Sequence, residues 1–220
     1  RAARLICEKW SANYGYLPDA IVVEGPKAGG HLGFKNEQIE DEHYSLEHLI
    51  PEVVEVARSY AGRKGIPVIA AGGIATGEDI ARFMALGASA VQMGSIFVPT
   101  EECDASVEFK QVYLNAHRED IRIIQSPVGM PGRAFDGEFI RNVAEGKEKP
   151  RSCPFHCIKT CDYTKSPYCI IKALYNAARG NMKKGYAFAG GNAYLSDRIR
   201  SVKEVIEKLK ADFFLSKALL

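Results

Sequence analysis

Residues 68–80, VIAAGGIATGEDI, decide how the chain is read. An apolar run stops at Gly72-Gly73, a short loop of Ala75, Thr76 and Gly77 follows, and a helical pattern then begins. Glycine at such a corner lets main-chain N–H groups approach a ligand with no Cβ in the way. The helix N-terminus just beyond adds a partial positive charge of about half an electron. Together these features hold a phosphate through backbone donors and need no basic side chain. The plain alternative is that the two glycines only make a tight turn.

Two more apolar segments end the same way. The stretch 18-PDAIVVEG-25 closes on Gly25, and 89-SAVQMGSIFV-98 is interrupted by Gly94 followed by the hydroxyl of Ser95. Between them the apolar spacing is helical. Ala3, Leu5, Ile6 and Trp10 mark a helix over 2–13, Leu46 to Gly62 forms another with Pro51 near its first turn, and 78–87 a third, closed by Gly87. The first hundred residues therefore alternate α-β-α-β-α-β. The strands are continuously apolar, as parallel strands covered on both faces are.

In such arrays ligands bind at the carboxyl ends of the strands. In (β/α)8 barrels a phosphate is often held by the loops after strands 7 and 8. Gly72 and Gly73 are expected to donate from one loop, Gly94 and Ser95 from the next. The fold class expected is α/β: a partial (β/α)8 TIM barrel comprising the last three βα units, strands 6–8, with the five earlier strands absent from this chain. Residues 1–120 are assigned to those units. Residues 121–220 form a helical, cysteine-containing appendage near the ligand site.

Within that second part, 105–118 and 170–179 read as helices and 196–213 as a last amphipathic one. The segments 26–34, 36–45, 125–139 and 185–195 read as loops, three of them from their Gly and Pro content.

The set 23-VEGPKAGGHLGF-34, 66-IPVIAAGGIATGEDI-80 and 89-SAVQMGSIFVPTEEC-103 resembles the nitronate monooxygenase family, formerly called 2-nitropropane dioxygenase, which includes FMN-dependent enoyl-ACP reductases. The resemblance spans residues 20–103 and extends through 125-QSPVGMPGRAF-135 and 187-AFAGGNAYL-195. It implies an FMN-containing TIM barrel. His31, in the AGGH motif, matches the family's active-site histidine beside the flavin ring, and Gly72, Gly73, Gly94 and Ser95 match the FMN phosphate loops. Glu24, Gly29, Gly30, Ala71 and Gln92 sit at strand ends that would line the flavin. The implied reaction is oxidation of small alkyl nitronates by dioxygen, a flavoprotein monooxygenase activity. The alternative is an enoyl-ACP reductase using NAD(P)H as reductant, and a second alternative is a non-catalytic phosphate- or nucleotide-binding fragment.

His31 has a chemical logic of its own. Histidine titrates nearest neutrality, which suits a base taking the proton α to a nitro group or an acid protonating a carbanion. Flanked by glycines, it is expected on a flexible loop. His43, His48, His117 and His156 lack such a context and read as surface or packing residues.

Four of the six cysteines, Cys153, Cys157, Cys161 and Cys169, share the spacing C-x3-C-x3-C-x7-C. Free thiols, a zinc or iron–sulfur site, and redox disulfides all remain open. The usual C-x2-C knuckles are missing, and Pro154 and Pro167 make the path irregular. No metal is assigned. Cys7 falls on an apolar helix face and is expected in the core.

With 220 residues, 46% hydrophobic, 25% charged and a net charge of +2, the chain has an ordinary globular composition. No basic stripe calls for nucleic acid, and no apolar run approaches the ~18 residues of a membrane span. The opening RAARLICEKW has no initiator Met and no signal-peptide layout, so it reads as a segment of a longer, cytoplasmic protein with reduced thiols. Three parallel strands cannot close a barrel. The open edge is expected to meet the missing barrel half or a second copy of the chain, or else the segment folds as an open βα layer.

Overall fold

The computed structural model describes residues 1–61, 65–157, 159 and 161–218. In chain order the elements are α1 (Ala2–Tyr14), β1 (Ile21–Glu24), β2 (Gly30–His31), α2 (Asn36–Ile39), α3 (Leu46–Ala61), β3 (Val68–Ala71), α4 (Gly77–Ala85) and β4 (Ala90–Gln92). There follow α5 (Val107–Leu114), β5 (Ile121–Gln125), β6 (Pro131–Phe135), α6 (Glu138–Ala144), α7 (Ile170–Ala178) and α8 (Val202–Lys217). They fall into two compact units. One holds residues 1–26, 36–93 and 204–220, the other 27–35 and 94–203.

The first unit is built on a parallel sheet of order β1-β3-β4. Its register runs Ile21 to Val68 and Glu24 to Ala71 on one side, and Ile69 to Ala90 and Ala71 to Gln92 on the other. The core gathers Ile50 and Val54 of α3, Val68 and Ala70 of β3, and Phe83 of α4. Each large apolar side chain removed from water here stabilises the unit by about 1.5–3 kcal/mol. Cys7 of α1 is fully buried in this core, as its helix face implies. Coverage on both faces holds only for the central strand. On the outer strand β1, Val22 is 50% exposed while the next residue, Val23, is buried, so one face of that strand is left uncovered.

α4 begins with a capping box, in which the Thr76 hydroxyl accepts from the Asp79 N–H at 3.1 Å. It ends where Gly87 turns left-handed at φ +102°. α3 follows its expected course and carries Pro51 inside it, while Gly62, expected as its last residue, lies outside the described residues.

The second unit centres on an antiparallel sheet of order β2-β6-β5. This corrects the reading of 125–139 as a long loop. Pro131 opens β6, where a missing N–H is tolerated, and the turn is closed by Ser126 N–H to Met130 O at 3.0 Å and Gly129 N–H to Ser126 O at 3.0 Å. Gly and Pro here punctuate a hairpin rather than dissolve one. The segment 26–34 likewise contains β2, and 36–45 contains α2 and a 3-10 turn at Glu42–Tyr44. α8 starts later than expected. Arg200 pairs with Thr100 in a β-bridge and Glu102 accepts from the Val202 N–H at 2.8 Å, so the helix opens only there.

Two aromatic clusters fill this unit. Tyr113 and Phe135 pack edge-to-face at 4.8 Å, and Phe139, Tyr168 and Tyr186 form the other. Lys110 is buried beside the first cluster and satisfies its ammonium on Thr100 O at 2.6 Å.

The α/β class with a parallel sheet is as expected. Among the described residues the strands form two three-stranded sheets and no closed barrel. No helix there is long and apolar enough to cross a membrane.

Candidate active site

In the first unit the sheet register aligns three expected residues. Glu24 pairs with Ala71, and Ala71 with Gln92, so all three lie in one row at the carboxyl ends of β1, β3 and β4. Ala71 is buried, whereas Glu24 and Gln92 are exposed. Partial desolvation holds the Glu24 carboxyl above the usual carboxylate range. Immediately after Ala71, Gly72 (φ +98°) and Gly73 (φ +78°) both take the left-handed conformation, which two successive residues with side chains would adopt only under strain.

Behind this corner Asp79 turns its carboxylate back across the start of α4 and accepts from Ala75 N–H at 3.0 Å and Thr76 N–H at 3.1 Å, the two residues that precede the helix.

In the second unit His31 is not on a flexible loop. It lies in β2, where its backbone pairs with Gly132 of β6. The imidazole is half-buried, its Nε2 lies 2.8 Å from Ser126 Oγ, and Phe188 packs edge-to-face on it at 5.1 Å. Ser126 is 6% exposed and sits where the β5–β6 hairpin turns. A hydroxyl both donates and accepts, so this one contact serves either form of the ring. Ser126 donates to an unprotonated Nε2, and a protonated Nε2 donates to Ser126.

The approach to His31 is set by Gly29, where a Cβ would lie 2.6 Å from Gly190 N and 2.7 Å from Ala189 C. Gly30 (φ +85°) then turns the chain into β2. Farther along, Ser95 Oγ accepts from Gly190 N–H at 3.0 Å, and Gly94 has no atom within 4 Å of where a Cβ would be.

Sequence reasoning missed Ser126, Phe188 and Asp79. The first two belong to segments read as Gly-rich loops and included in the family resemblance with no role for either residue, and Asp79 is recognisable as the third residue of a Thr76 capping box.

The four clustered cysteines line a single cavity of about 240 Å³, together with Pro127, Val128 and Pro150. All are free thiols. Desolvation pushes the Cys161 thiol up, and charge on Cys153, Cys157 and Cys169 adds to it. Among the described residues no group of three or more His, Cys, Asp or Glu side chains is placed to hold a metal ion.

The protein-family model described as nitronate monooxygenase matches residues 1–212. The chain belongs to the nitronate monooxygenase family. A probable nitronate monooxygenase of Staphylococcus aureus (strain Newman) is 33% identical over 191 residues, 86% of this chain and 52% of the relative. One from Staphylococcus saprophyticus is 31% identical over 140 residues, 63% of this chain and 38% of the relative. Among solved structures, FabK from Thermotoga maritima is similar with a TM-score of 0.72 and 27% identity, over 99% of this chain and 60% of that one. Nitroalkane oxidase from Streptomyces ansochromogenes follows at 0.66 and 25%, over 91% and 53%. The chain spans about half the length of the curated relatives it matches. The match to the nitronate monooxygenase family takes in His31, both glycine corners and the four-cysteine segment.

Proposed function

We propose that the chain is the C-terminal part of a cytoplasmic, FMN-dependent oxidoreductase that oxidises small alkyl nitronates with dioxygen. The observation that carries this reading is the family match over residues 1–212, with His31 inside it. In this reading residues 1–120 supply the last three βα units of the barrel and 121–220 the appendage. The exposed edge at β1 is met by the remaining strands, from another segment or a second copy.

In this reading the glycine corners and strand ends hold a flavin mononucleotide. Gly72 and Gly73 turn the main chain at a strand end as a phosphate corner requires, and Gly94 is open to close approach. Ser95, while accepting from Gly190, keeps its own hydrogen to donate. These four would hold the phosphate, and Glu24, Gly29, Gly30, Ala71 and Gln92 would line the ring. The flavin would supply the two-electron redox chemistry.

His31 takes the proton α to the nitro group, or stabilises a substrate that arrives as the anion. Ser126 holds Nε2 in either protonation form of the ring. Phe188 fixes the ring plane and keeps water from that side.

The likeness to FabK favours a second reading, an enoyl-ACP reductase with NAD(P)H as reductant and an enoyl thioester as acceptor. Oxygen uptake with an alkyl nitronate, set against NADH oxidation with a crotonyl thioester, separates the two. Purified protein is expected to be yellow with about one FMN per chain. Colourless protein that takes up no FMN and is inactive in both assays would overturn both readings.

A further inference from the structure

The cavity ringed by Cys153, Cys157, Cys161 and Cys169 has no part in the reading above. We propose that it is an iron–sulfur site, with the four thiolates each binding one iron of a [4Fe–4S] cluster.

The geometry distinguishes a cluster from a single ion. Tetrahedral zinc draws four sulfurs to about 2.3 Å from one point, which leaves no void between them. Here the four thiols line a space of about 240 Å³, and as they stand no three ligating side chains among the described residues are placed to hold a metal ion, so loading would draw them inward. A four-iron cluster asks for the opposite arrangement: one cysteine per iron, spread around a volume that the cluster itself fills.

The surroundings suit an anion within reach of solvent. Pro127, Val128, Pro150 and Ile170 give the wall apolar surface, and Ser152, Tyr163, Ser166 and Tyr168 add hydroxyls. Cys169 is the N-cap residue of α7, and that terminus has no side-chain cap. Cys169 and Ile170 both line the cavity, so the N-terminus of α7 borders it. Cys157 and Cys161 are exposed and Cys153 and Cys169 half-buried, so a cluster can be delivered from solvent. Pro127 and Val128 directly follow Ser126 in the chain, which places the cavity one residue along from the partner of His31.

Loading requires no change of oxidation state. A preformed cluster exchanges four small thiolate caps for four cysteines; four Fe–S bonds break and four form, and the four cysteine protons leave with the released thiols.

The test is anaerobic transfer from a synthetic [4Fe–4S] cluster capped by β-mercaptoethanol, with iron and acid-labile sulfide counted after desalting. The expected result is about four of each per chain, broad visible absorption, and four fewer titratable thiols than in the cluster-free protein. Cys157→Ser and Cys161→Ser change exposed side chains and should fold normally yet lose the cluster. Cys103→Ser, outside the cavity, should retain it. Absence of retained iron, zinc bound at one per chain in its place, or equal iron in all variants would each overturn the assignment. The readouts are independent of catalysis, so a failure here leaves the flavin reading untouched.

Discussion

His31 Nε2 and Ser126 Oγ meet at 2.8 Å although 95 residues separate them in the chain. β6 brings them together, pairing with β2 on one side and β5 on the other, so the hairpin turn presents its serine to the imidazole. If His31 moves a proton, Ser126 is the positioning residue that adjusts to it. His31→Asn is expected to lower turnover by roughly 10²–10⁴-fold with flavin still bound. Ser126→Ala is expected to lower it less and to displace the pH profile of kcat, a displacement that a loss of packing alone would not produce. Steady-state oxygen uptake across pH measures both, and an unshifted profile in Ser126→Ala would remove the serine from the proton path.

Gly29 is required by close approach. A methyl group there meets the backbone of Gly190 and Ala189 at 2.6 and 2.7 Å, and backbone cannot rotate aside. Gly29→Ala should destabilise by about 1–3 kcal/mol. Gly33→Ala, where nothing lies within 4 Å, should stay within about 0.5 kcal/mol of the parent. Urea midpoints of the two variants decide it.

Tyr168 donates its hydroxyl hydrogen to Tyr186 at 3.2 Å inside the second aromatic cluster. Tyr186→Phe leaves that buried donor unmatched and should cost about 1–3 kcal/mol in denaturant unfolding.

Burial pushes the phenols of Tyr113 and Tyr186 well above the usual tyrosine range and pushes that of Tyr168 up. The folded state thus keeps protons that the unfolded chain releases at about pH 10. Stability is held below that pH and falls as the pH rises beyond it. Tyrosinate absorbance on alkaline titration should show these phenols ionising only together with the loss of far-UV circular dichroism. Ionisation in the folded state would contradict their burial.

Asp79 closes the α4 terminus on Ala75 and Thr76. Thr76→Ala is expected to cost about 0.5–2 kcal/mol as a lost cap. Asp79→Ala should cost at least as much, since it strips two backbone donors of their acceptor. Thermal unfolding of both variants, with and without FMN, shows whether the ligand offsets the loss.

The sequence alone determined what is local and periodic. The runs ending at Glu24, Ala71 and Gln92 each announce a buried or half-buried strand, the helices between them announce a parallel layer, and the three glycine-terminated motifs announce the family. Composition misled where partners are distant. Gly and Pro in 125–135 look like a loop until β6 finds β2 and β5, because a strand's hydrogen bonds are made with other segments and leave no local period. The same holds for chemistry. AGGH names His31, and only tertiary structure could supply Ser126 and Phe188, or gather four cysteines around one cavity. Local spacing fixes which face a residue takes on its own helix or strand. Which residue faces it from elsewhere depends on how the elements pack.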